Sequence, residues 1–519
     1  MMDSEKYECG KHIDNLDFVI AIFIALAGIL YYYSYYNRGL NLLDEGYLLD
    51  PIMRVYEGEI PYRDFHHFYT PGSFYLFAAL FKLTKPDLLV IRRSWILIHV
   101  LTGILAYLAA RKVSSRMFAV VVMLVILIAP GVWHKSFFVF FPVLLVWLIF
   151  KYIERPSAQL AFLAGIGVAL SFLFRQDVGI YAAVSFAALA IWRKNLEERQ
   201  SVFLDMRWFV AGVSLLLAPF FAYFIVKCGK SIFSDLFMAG YIGTKANWLP
   251  FPPLWPIWNG GVVNTLFDKI FYLPFVIYGT GLVLLVKYRR DIKHDLRLSK
   301  LFFAMSLGLL ILLELKNRTD IAHFFQVMPL GCITAAGVLS KFAENNRRIL
   351  LSVIMALLMG WIAIVGLLDP ASGSIAMMKG NDYALLEKRA RVFISKDNAI
   401  TLKETLEYLR KNVPSNAEYV WAVPDIPMVY FLIGKKNPTK YELLRLGVSS
   451  TEESQERIVQ DIKEKKVRWI VLNTNEACDN IPRRRFKVFS PTIYKYIQLN
   501  YKRIAVFGNF EVLKRGRLY

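Results

Sequence analysis

Two acidic residues, Asp44 and Glu45, follow closely after the first long apolar segment of the chain, residues 17–36. Carboxylates this close to an apolar layer are costly to place unless they face water or a charged partner. A carboxylate held in this way is suited to take a proton from a hydroxyl group. The sequence therefore predicts that this pair is catalytic, with Asp44 as the first choice for a general base.

Cations, histidines and aromatic residues crowd the rest of the same loop, residues 40–75. The candidates for contacting a phosphate group or another part of a substrate are Arg54, Arg63, His66, His67 and Tyr69. A metal site at the two histidines is left open, because adjacent side chains point apart and no closed set of ligands is visible. The alternative interpretation is a solvated loop with aromatic side chains at a membrane interface.

A second polar cluster, Arg175 with Asp177, lies between two apolar segments. An unpaired charge is costly at such a position, so the two residues either neutralise each other as the cap of a helical hairpin or present Arg175 to an anion. Both interpretations remain open at this point, and both residues are candidates for substrate binding.

A third cluster contains Lys316, Arg318, Asp320 and His323. Two cations so close together are suited to a phosphate or pyrophosphate group. Asp320 and His323 are three residues apart and so share a helix face. The alternative is a basic loop in which Thr319 or Asp320 caps the following helix.

A stretch rich in tryptophan and proline, residues 241–261, follows one apolar segment and precedes another. Proline lacks the backbone N–H and restricts the chain, so we expect neither a regular helix nor a central strand here. The aromatic side chains are suited either to anchoring at a membrane interface or to a lid over a cavity.

Long apolar blocks must position these clusters. The 519 residues are 56% hydrophobic, with a mean hydropathy of +0.41. Blocks of this kind indicate a bilayer as the surrounding medium. The segments that are apolar enough to span it are 17–36, 91–110, 117–133, 136–150, 158–174, 178–192, 208–226, 267–286, 299–315, 321–340 and 349–368. The sequence therefore predicts an α-helical polytopic membrane protein with about eleven transmembrane helices.

Basic residues in alternate short connections predict the orientation of these segments. The connections contain Arg111, Lys112 and Arg116; Lys151 and Arg155; Arg193, Lys194 and Arg199; Lys287, Arg289, Arg290, Lys293 and Lys300; and Lys341, Arg347 and Arg348. By the positive-inside rule they lie in the cytoplasm with the N-terminus, and all the polar clusters then fall on the opposite face. The net charge of +21 is explained in the same way, so nucleic-acid binding is not expected.

The apolar residues 70–83 are too few to span a bilayer, and counting them as a span would invert every later connection. We therefore expect a helix that lies on the outer membrane surface.

The tail of the chain has a different composition. Helical patterns alternate with strand-like runs, the former at 401–413 and 451–466 and the latter at 418–424, 467–473 and 503–515. The scattered cysteines Cys9, Cys228, Cys332 and Cys478 predict neither a metal motif nor a disulfide framework. The sequence therefore predicts a transmembrane catalytic domain over 1–369 and an extracytoplasmic α/β domain over 370–519.

Several of these features together resemble the GT-C class of integral-membrane glycosyltransferases, in particular the protein mannosyltransferase and aminoarabinose-transferase-like group, glycosyltransferase family 39. The features are Asp44-Glu45 after the first span, the long loop 46–69, and the stretch Tyr69-Thr70-Pro71-Gly72-Ser73-Phe74-Tyr75. Ile91-Arg92-Arg93-Ser94 is similar to the entry of the family's next span. Arg175 and the element Arg318, Asp320 and His323 also resemble family features.

The resemblance implies an inverting transferase that moves a sugar from a polyprenyl-phosphate donor to a lipid, glycan or protein acceptor. Asp44 would deprotonate the acceptor hydroxyl, and Lys316, Arg318 or Arg175 would stabilise the leaving phosphate. No cofactor is firmly implied, and a divalent metal is left open. The implied location is the plasma or inner membrane, with several spans. The alternatives are a glycan polymerase or ligase of another membrane fold and, less favoured, a transporter.

Overall fold

The computed structural model of the chain is mostly helical, with a small sheet near the C-terminus. The residues it describes are 13–197, 201–258, 260–289, 295–343, 348–475 and 481–516. The polar lead-in 1–12, Cys9, Cys478 and the basic residues Arg199, Arg290, Lys293 and Arg347 lie outside the described residues.

The secondary-structure elements follow one another with short connections. The helices are α1 (Asn15–Tyr33), α2 (Asp44–Tyr56), α3 (Gly72–Leu83), α4 (Leu88–Arg111), α5 (Arg116–Ile128), α6 (Ser136–Glu154), α7 (Ala158–Phe174), α8 (Gln176–Glu197), α9 (Ser201–Cys228), α10 (Ser231–Phe233), α11 (Gly240–Ala246), α12 (Val262–Lys269), α13 (Leu273–Lys287), α14 (Leu296–Asn317), α15 (Ile321–Ala343), α16 (Arg348–Leu368), α17 (Ser374–Gly380), α18 (Lys396–Asn412), α19 (Met428–Ile433), α20 (Glu452–Glu464), α21 (Phe486–Phe489) and α22 (Pro491–Asn500). The strands are β1 (Tyr383–Glu387), β2 (Ala390–Ile394), β3 (Trp421–Val423), β4 (Trp469–Asn473), β5 (Tyr501–Phe507) and β6 (Phe510–Arg515).

Within the described residues, eight helical stretches are long and apolar enough to cross a membrane. They are Asn15–Tyr33, Leu88–Arg111, Trp133–Glu154, Asp205–Cys228, Val262–Lys287, Leu296–Asn317, Ile321–Ala343 and Ile349–Leu368. The shorter apolar helices α5, α7 and α8 account for the other three predicted segments. Large apolar side chains such as Phe23 and Leu30 of α1 are exposed, as expected for helices whose surroundings are lipid. The chain is a polytopic membrane protein, as the sequence predicted.

The chain forms two compact units, each built from stretches that are separate in sequence. Unit 1 comprises the described residues up to 35 together with those in 93–222 and 249–376. Unit 2 comprises 36–92, 223–248 and the described residues from 377 onward. The loop after the first span therefore belongs to the same compact unit as the C-terminal tail. The linear division at residue 369 stays a prediction.

Ion pairs in unit 1 join several of the basic connections at one end of the helices. Asp17 at the start of α1 is fully buried and accepts a bond of 2.8 Å from Arg111 at the end of α4. Glu154 at the end of α6 receives Lys112 at 2.6 Å and Lys300 of α14 at 2.8 Å. Since α7 and α14 begin at this end, their last residues and the polar connections that follow lie at the opposite end.

Two glycines allow α7 and α9 to pack closely in unit 1. A Cβ atom on Gly165 would lie 2.1 Å from the carbonyl oxygen of Phe209, and one on Gly212 would lie 2.2 Å from that of Phe162. Only glycine permits this approach, and small residues are the usual means by which membrane helices come into contact.

The C-terminal part of unit 2 contains a four-stranded sheet in the order β3-β4-β6-β5. β3 and β4 are parallel, with Trp421 opposite Ile470, whereas β6 is antiparallel to both β4 and β5. The apolar sides of α20 and α22 pack on this sheet through Ile458 and Ile493. The predicted helices and strands of the tail are confirmed, and the hairpin β1–β2 is an addition that the sequence did not predict.

The expectation that 241–261 contains no regular helix is wrong for its first residues. Gly240–Ala246 is helical, and the irregular part begins only at Asn247. The physical reason is that Pro250 is the first proline of the stretch, so nothing upstream of it interrupts a helix.

Candidate functional sites

Asp44 is the first residue of α2, and the preceding turn holds it in place. The side-chain oxygen of Asn41 accepts bonds from the backbone N–H groups of Leu43 and Asp44, at 3.1 and 2.8 Å. The amide nitrogen of Asn41 donates to Asp44 Oδ2 at 3.0 Å. Asp44 is partly exposed. A carboxylate in the first turn of a helix is stabilised by the helix dipole, so Asp44 combines a fixed position with access from solution.

Glu45 differs from Asp44, because both of its oxygens are bonded to a buried arginine. Arg92 donates through Nε to Oε1 and through Nη2 to Oε2, each at 2.8 Å. The same guanidinium group donates to the carbonyl oxygens of Tyr36, Arg38 and Gly39. Both side chains of the ion pair are buried. This arrangement favours a role for Glu45 in positioning the loop, and its predicted catalytic role stays untested.

Gly46 brings the start of α2 against α19. A Cβ atom at this position would lie 2.2 Å from the backbone nitrogen of Met428. Met428 also donates its N–H to the carbonyl oxygen of Leu42 at 3.2 Å. The C-terminal stretch of the chain therefore helps to determine where Asp44 lies within unit 2.

The two arginines of this loop have separate environments. Arg54 is buried and donates to Glu59 at 2.6 Å and to the carbonyl oxygens of Thr439 and Asp64, each at 3.0 Å. Arg63 is largely exposed and forms a two-pronged ion pair with Asp64 at 2.9 and 2.7 Å. Arg54 is therefore engaged inside unit 2, whereas Arg63 reaches solvent with its charge paired.

The two histidines of the loop also lie in different surroundings. His66 Nδ1 is 3.1 Å from Asp235 Oδ2. His67 is buried, stacks on Tyr47 at 4.7 Å between ring centroids, and accepts a bond from the backbone N–H of Tyr69. Burial holds the pKa of His67 well below its usual value, and the neighbouring His66 adds to this effect. A neutral, buried His67 is suited to packing rather than to charge contact with a phosphate.

A pocket that the sequence did not predict lies beside Arg54 in unit 2. It has a volume of about 340 Å³, and Asp50, Glu57 and Asn437 are among the residues that line it. Burial raises the pKa of Asp50 to about 7, against the opposing effects of Arg54 and Asn437. Burial also raises the pKa of the nearby Glu442 well above its usual value. This part of unit 2 therefore holds protons on carboxyl groups near neutral pH.

In unit 1, a chain of polar contacts links Lys135 to Arg318. Lys135 Nζ lies 3.2 Å from His323 Nε2, and His323 Nδ1 lies 2.6 Å from Asp320 Oδ1. Arg318 Nε donates to Asp320 Oδ2 at 2.6 Å. Because a lysine ammonium group can only donate, His323 accepts through Nε2 and carries its proton on Nδ1, facing Asp320. We call these four residues the Lys135–Arg318 array.

Asp320 is the centre of the Lys135–Arg318 array and also caps α15, since its Oδ1 accepts from the N–H of His323 at 2.9 Å. Burial by itself would raise the pKa of Asp320, but the bond from His323 and the charges of Lys135 and Arg318 outweigh it and hold the pKa well below its usual value. The array thus contains two cations and one carboxylate. Lys316 lies close by in sequence and is exposed.

Arg175 lies in a buried cluster with two carboxylates in unit 1. It donates to both oxygens of Asp177, at 2.6 and 2.9 Å through Nε, and to Glu314 Oε2 at 2.5 Å. Its remaining nitrogen donates to Gln326 at 3.2 Å. The guanidinium group also stacks over Phe138 at 4.0 Å. These contacts favour the interpretation in which the junction neutralises itself.

The structure adds Lys135 and Glu314 to the predicted candidates. Lys135 stands between two apolar segments on the face opposite to the basic connections, and Glu314 is a lone acid in the run LLILLELK. A charge in either place signals a partner, and this signal could have identified both residues. The metal site predicted as an option at the histidines gains no further ligands: among the described residues, no group of three or more His, Cys, Asp or Glu is placed to hold a metal ion.

No protein-family model matches the sequence, and no curated protein matches it significantly. Solved structures do match over nearly the whole length of the chain. The archaeal oligosaccharyltransferase AglB from Archaeoglobus fulgidus, in complex with an inhibitory peptide and a dolichol-phosphate, has a TM-score of 0.58 at 11% identity over 97% of this chain and 74% of its own.

Two further structures show the same likeness. ArnT from Cupriavidus metallidurans in the apo state has a TM-score of 0.58 at 11% identity, over 96% of this chain and 98% of its own. The Archaeoglobus fulgidus oligosaccharyltransferase in complex with Zn and sulfate has a TM-score of 0.56 at 12% identity, over 88% of this chain and 68% of its own. The chain thus has the fold of the GT-C membrane glycosyltransferases, as its resemblance to that class implied.

Proposed function

We propose that the chain is a membrane glycosyltransferase that moves a sugar from a polyprenyl-phosphate donor to a lipid, glycan or protein acceptor. The observation that carries this proposal is the fold match, which extends over 96% of this chain and 98% of ArnT. AglB, which has the same fold, was solved with a dolichol-phosphate bound. A lipid-phosphate donor suits a polytopic protein because its tail can stay in the bilayer while its phosphate meets cations at the membrane surface.

The proposed reaction is a single displacement that inverts the anomeric carbon. The acceptor oxygen forms a bond to that carbon, the bond from the carbon to the phosphate oxygen breaks, and the electron pair leaves with the phosphate. Asp44 takes the acceptor proton, a role that its partly exposed carboxylate supports. Lys135 and Arg318 of the Lys135–Arg318 array, with the exposed Lys316, supply positive charge for the leaving phosphate.

No step of this proposal runs through a metal ion. The neighbour solved with Zn shows that a protein of this fold binds that ion. In the part of this chain that the structure describes, no suitable group of three or more ligands is present. The charge of the leaving phosphate is therefore assigned to lysine and arginine side chains.

The proposed orientation places the reaction on the extracytoplasmic face of the membrane. Basic connections joined by Asp17 and Glu154 occupy one end of the unit 1 helices. The positive-inside rule assigns that end to the cytoplasm. Reporter fusions after residues 114 and 380 test this assignment: the first should report a cytoplasmic position and the second an external one.

The experiment that tests the function is sugar transfer by purified protein in nanodiscs, using a panel of polyprenyl-phosphate sugars with lipid, glycan and peptide acceptors. We expect transfer from at least one donor, with the anomeric configuration inverted in the product by NMR. The matched control is Asp382→Asn, which changes an exposed aspartate and should leave transfer unchanged. Retention of configuration would contradict the single displacement, and no transfer from any donor would contradict the function.

A further inference from the structure

An unusual apolar surface lies between α11 and α12. We call residues 251–258 the Trp/Pro segment. Its outer part carries Leu254, Trp255, Ile257 and Trp258, which are between 59% and 77% exposed. Four large apolar side chains exposed together in one short segment need an apolar partner.

The base of the Trp/Pro segment is fixed to the helical stretch Val262–Lys287. Tyr272 donates its hydroxyl to the carbonyl oxygen of Pro252 at 2.5 Å, and Lys269 Nζ donates to that of Pro253 at 2.7 Å. The ring of Phe251 lies 5.7 Å from that of Phe275. The segment is therefore held at the end of a stretch that is itself long and apolar enough to cross a membrane.

The exposed apolar surface continues from the segment along this helix. Phe275, Val276, Val283 and Val286 of α13 are each about half exposed or more. On a transmembrane helix such side chains face lipid. Because Phe251 contacts Phe275, the tryptophans stand at the end of a surface whose surroundings are already the bilayer.

We propose that Leu254–Trp258 inserts into the headgroup–acyl boundary of the bilayer and anchors this part of unit 1. Tryptophan is enriched at this depth because its ring is apolar and its N–H can bond to water or lipid headgroups. The anchor does not depend on the proposed glycosyl transfer, since it rests on exposed side chains and their link to a membrane helix.

The anchor also bears on the Lys135–Arg318 array. Leu249, just before the Trp/Pro segment, forms an isolated bridge with Arg318. Its N–H donates to the carbonyl oxygen of Asn317 at 3.4 Å, and its own carbonyl oxygen accepts from Thr319 at 3.3 Å. The anchor therefore ties the connection that carries Arg318 to the level of the lipid headgroups.

The test uses a fluorescent amino acid incorporated at Trp255 in the full chain, in nanodiscs that contain spin-labelled lipids. The positive control is the same residue at Val283, on the exposed side of α13. Incorporation at Ile257 provides a second position if the Trp255 variant folds poorly. Iodide in the buffer reports access from water, with the free fluorophore as the reference.

We expect quenching at position 255 to be strongest with the label near the headgroup, and at position 283 with the label deeper in the acyl chain. Iodide quenching at 255 should be at least threefold weaker than for the free fluorophore. Full iodide access without lipid quenching would overturn the anchor. Lipid quenching that disappears when a donor sugar lipid is added would also overturn it, in favour of a moving lid.

Discussion

Arg92 and Glu45 form a two-pronged ion pair, with both distances at 2.8 Å and both side chains buried. The pair connects the first turn of α2 to the start of α4 and stands next to Asp44. Since Arg92 also donates to three backbone carbonyl oxygens, it organises the turn from Tyr36 to Gly39 as well as Glu45. Two adjacent acids thus have different tasks, one holding the loop and the other facing outward.

Arg92→Ala should destabilise the protein by about 3–5 kcal/mol, because it leaves Glu45 buried without its partner. Glu45→Gln should cost less, since the amide oxygen can still accept one bond from Arg92. The measurement is the midpoint of thermal unfolding in detergent, followed by tryptophan fluorescence. An unchanged midpoint in Arg92→Ala would show that the pair does not hold the loop.

Lys135→Ala should raise the KM for the donor by about tenfold, equivalent to about 1.4 kcal/mol, with a smaller effect on kcat. The reason is that Lys135 provides one of the two cations of the Lys135–Arg318 array. Lys135→Arg should retain most of the affinity because the charge remains. Lys403→Ala, at an exposed lysine of α18, is the matched control. A KM that is unchanged in Lys135→Ala would remove Lys135 from the phosphate site.

Arg175→Ala should lower stability by about 3–5 kcal/mol, because it leaves two carboxylates close together without a cation. Adding Glu314→Gln should recover part of the loss, since only Asp177 then remains charged. Thermal unfolding of the single and double variants measures both effects. A raised donor KM in Arg175→Ala at unchanged stability would instead support the sequence-based expectation that Arg175 contacts an anion.

The pH dependence of stability should carry the signature of Asp50. Burial raises its pKa from 3.8 to about 7, with Glu57 and Glu59 adding to the effect and Arg54 and Asn437 opposing it. The folded chain then keeps a proton that the unfolded chain releases, so the contribution of Asp50 falls as the pH rises from about 4 to about 7.

Denaturant titrations over this pH range measure the effect. One proton corresponds to a slope of about 1.4 kcal/mol per pH unit. Asp50→Asn should flatten the slope and should be more stable than the wild type at pH 8. The exposed control Asp382→Asn should keep the original slope. Equal slopes for Asp50→Asn and the wild type would show that Asp50 is ionised in the folded chain.

The transmembrane segments and the tail could be predicted from sequence because hydropathy and periodicity are local properties. The run 467–473 is an example: its apolar pattern predicted a strand, and β4 (Trp469–Asn473) lies there. The pairing of charges could not be predicted in the same way. Glu314 and Arg175 are far apart in sequence, and only the packing of α14 beside α8 brings them together.

The site residues of the first loop show the same limit. Asp44 and Glu45 are adjacent and chemically alike, so nothing in their sequence separates a buried ion pair from an exposed base. Burial of His67 and Arg54 likewise depends on residues near 439, hundreds of positions away for Arg54. The predicted set therefore contained correct residue types whose individual roles only the fold could distinguish.

The central claim is that Asp44 acts as the base in sugar transfer from a polyprenyl-phosphate donor. Its most direct test is the turnover of Asp44→Asn relative to the wild type, with the most active donor and the thermal midpoint measured on the same sample. We expect kcat to fall by at least about a hundredfold, the usual contribution of a general base, while the midpoint stays within a few degrees. Near-wild-type turnover by Asp44→Asn would contradict the claim.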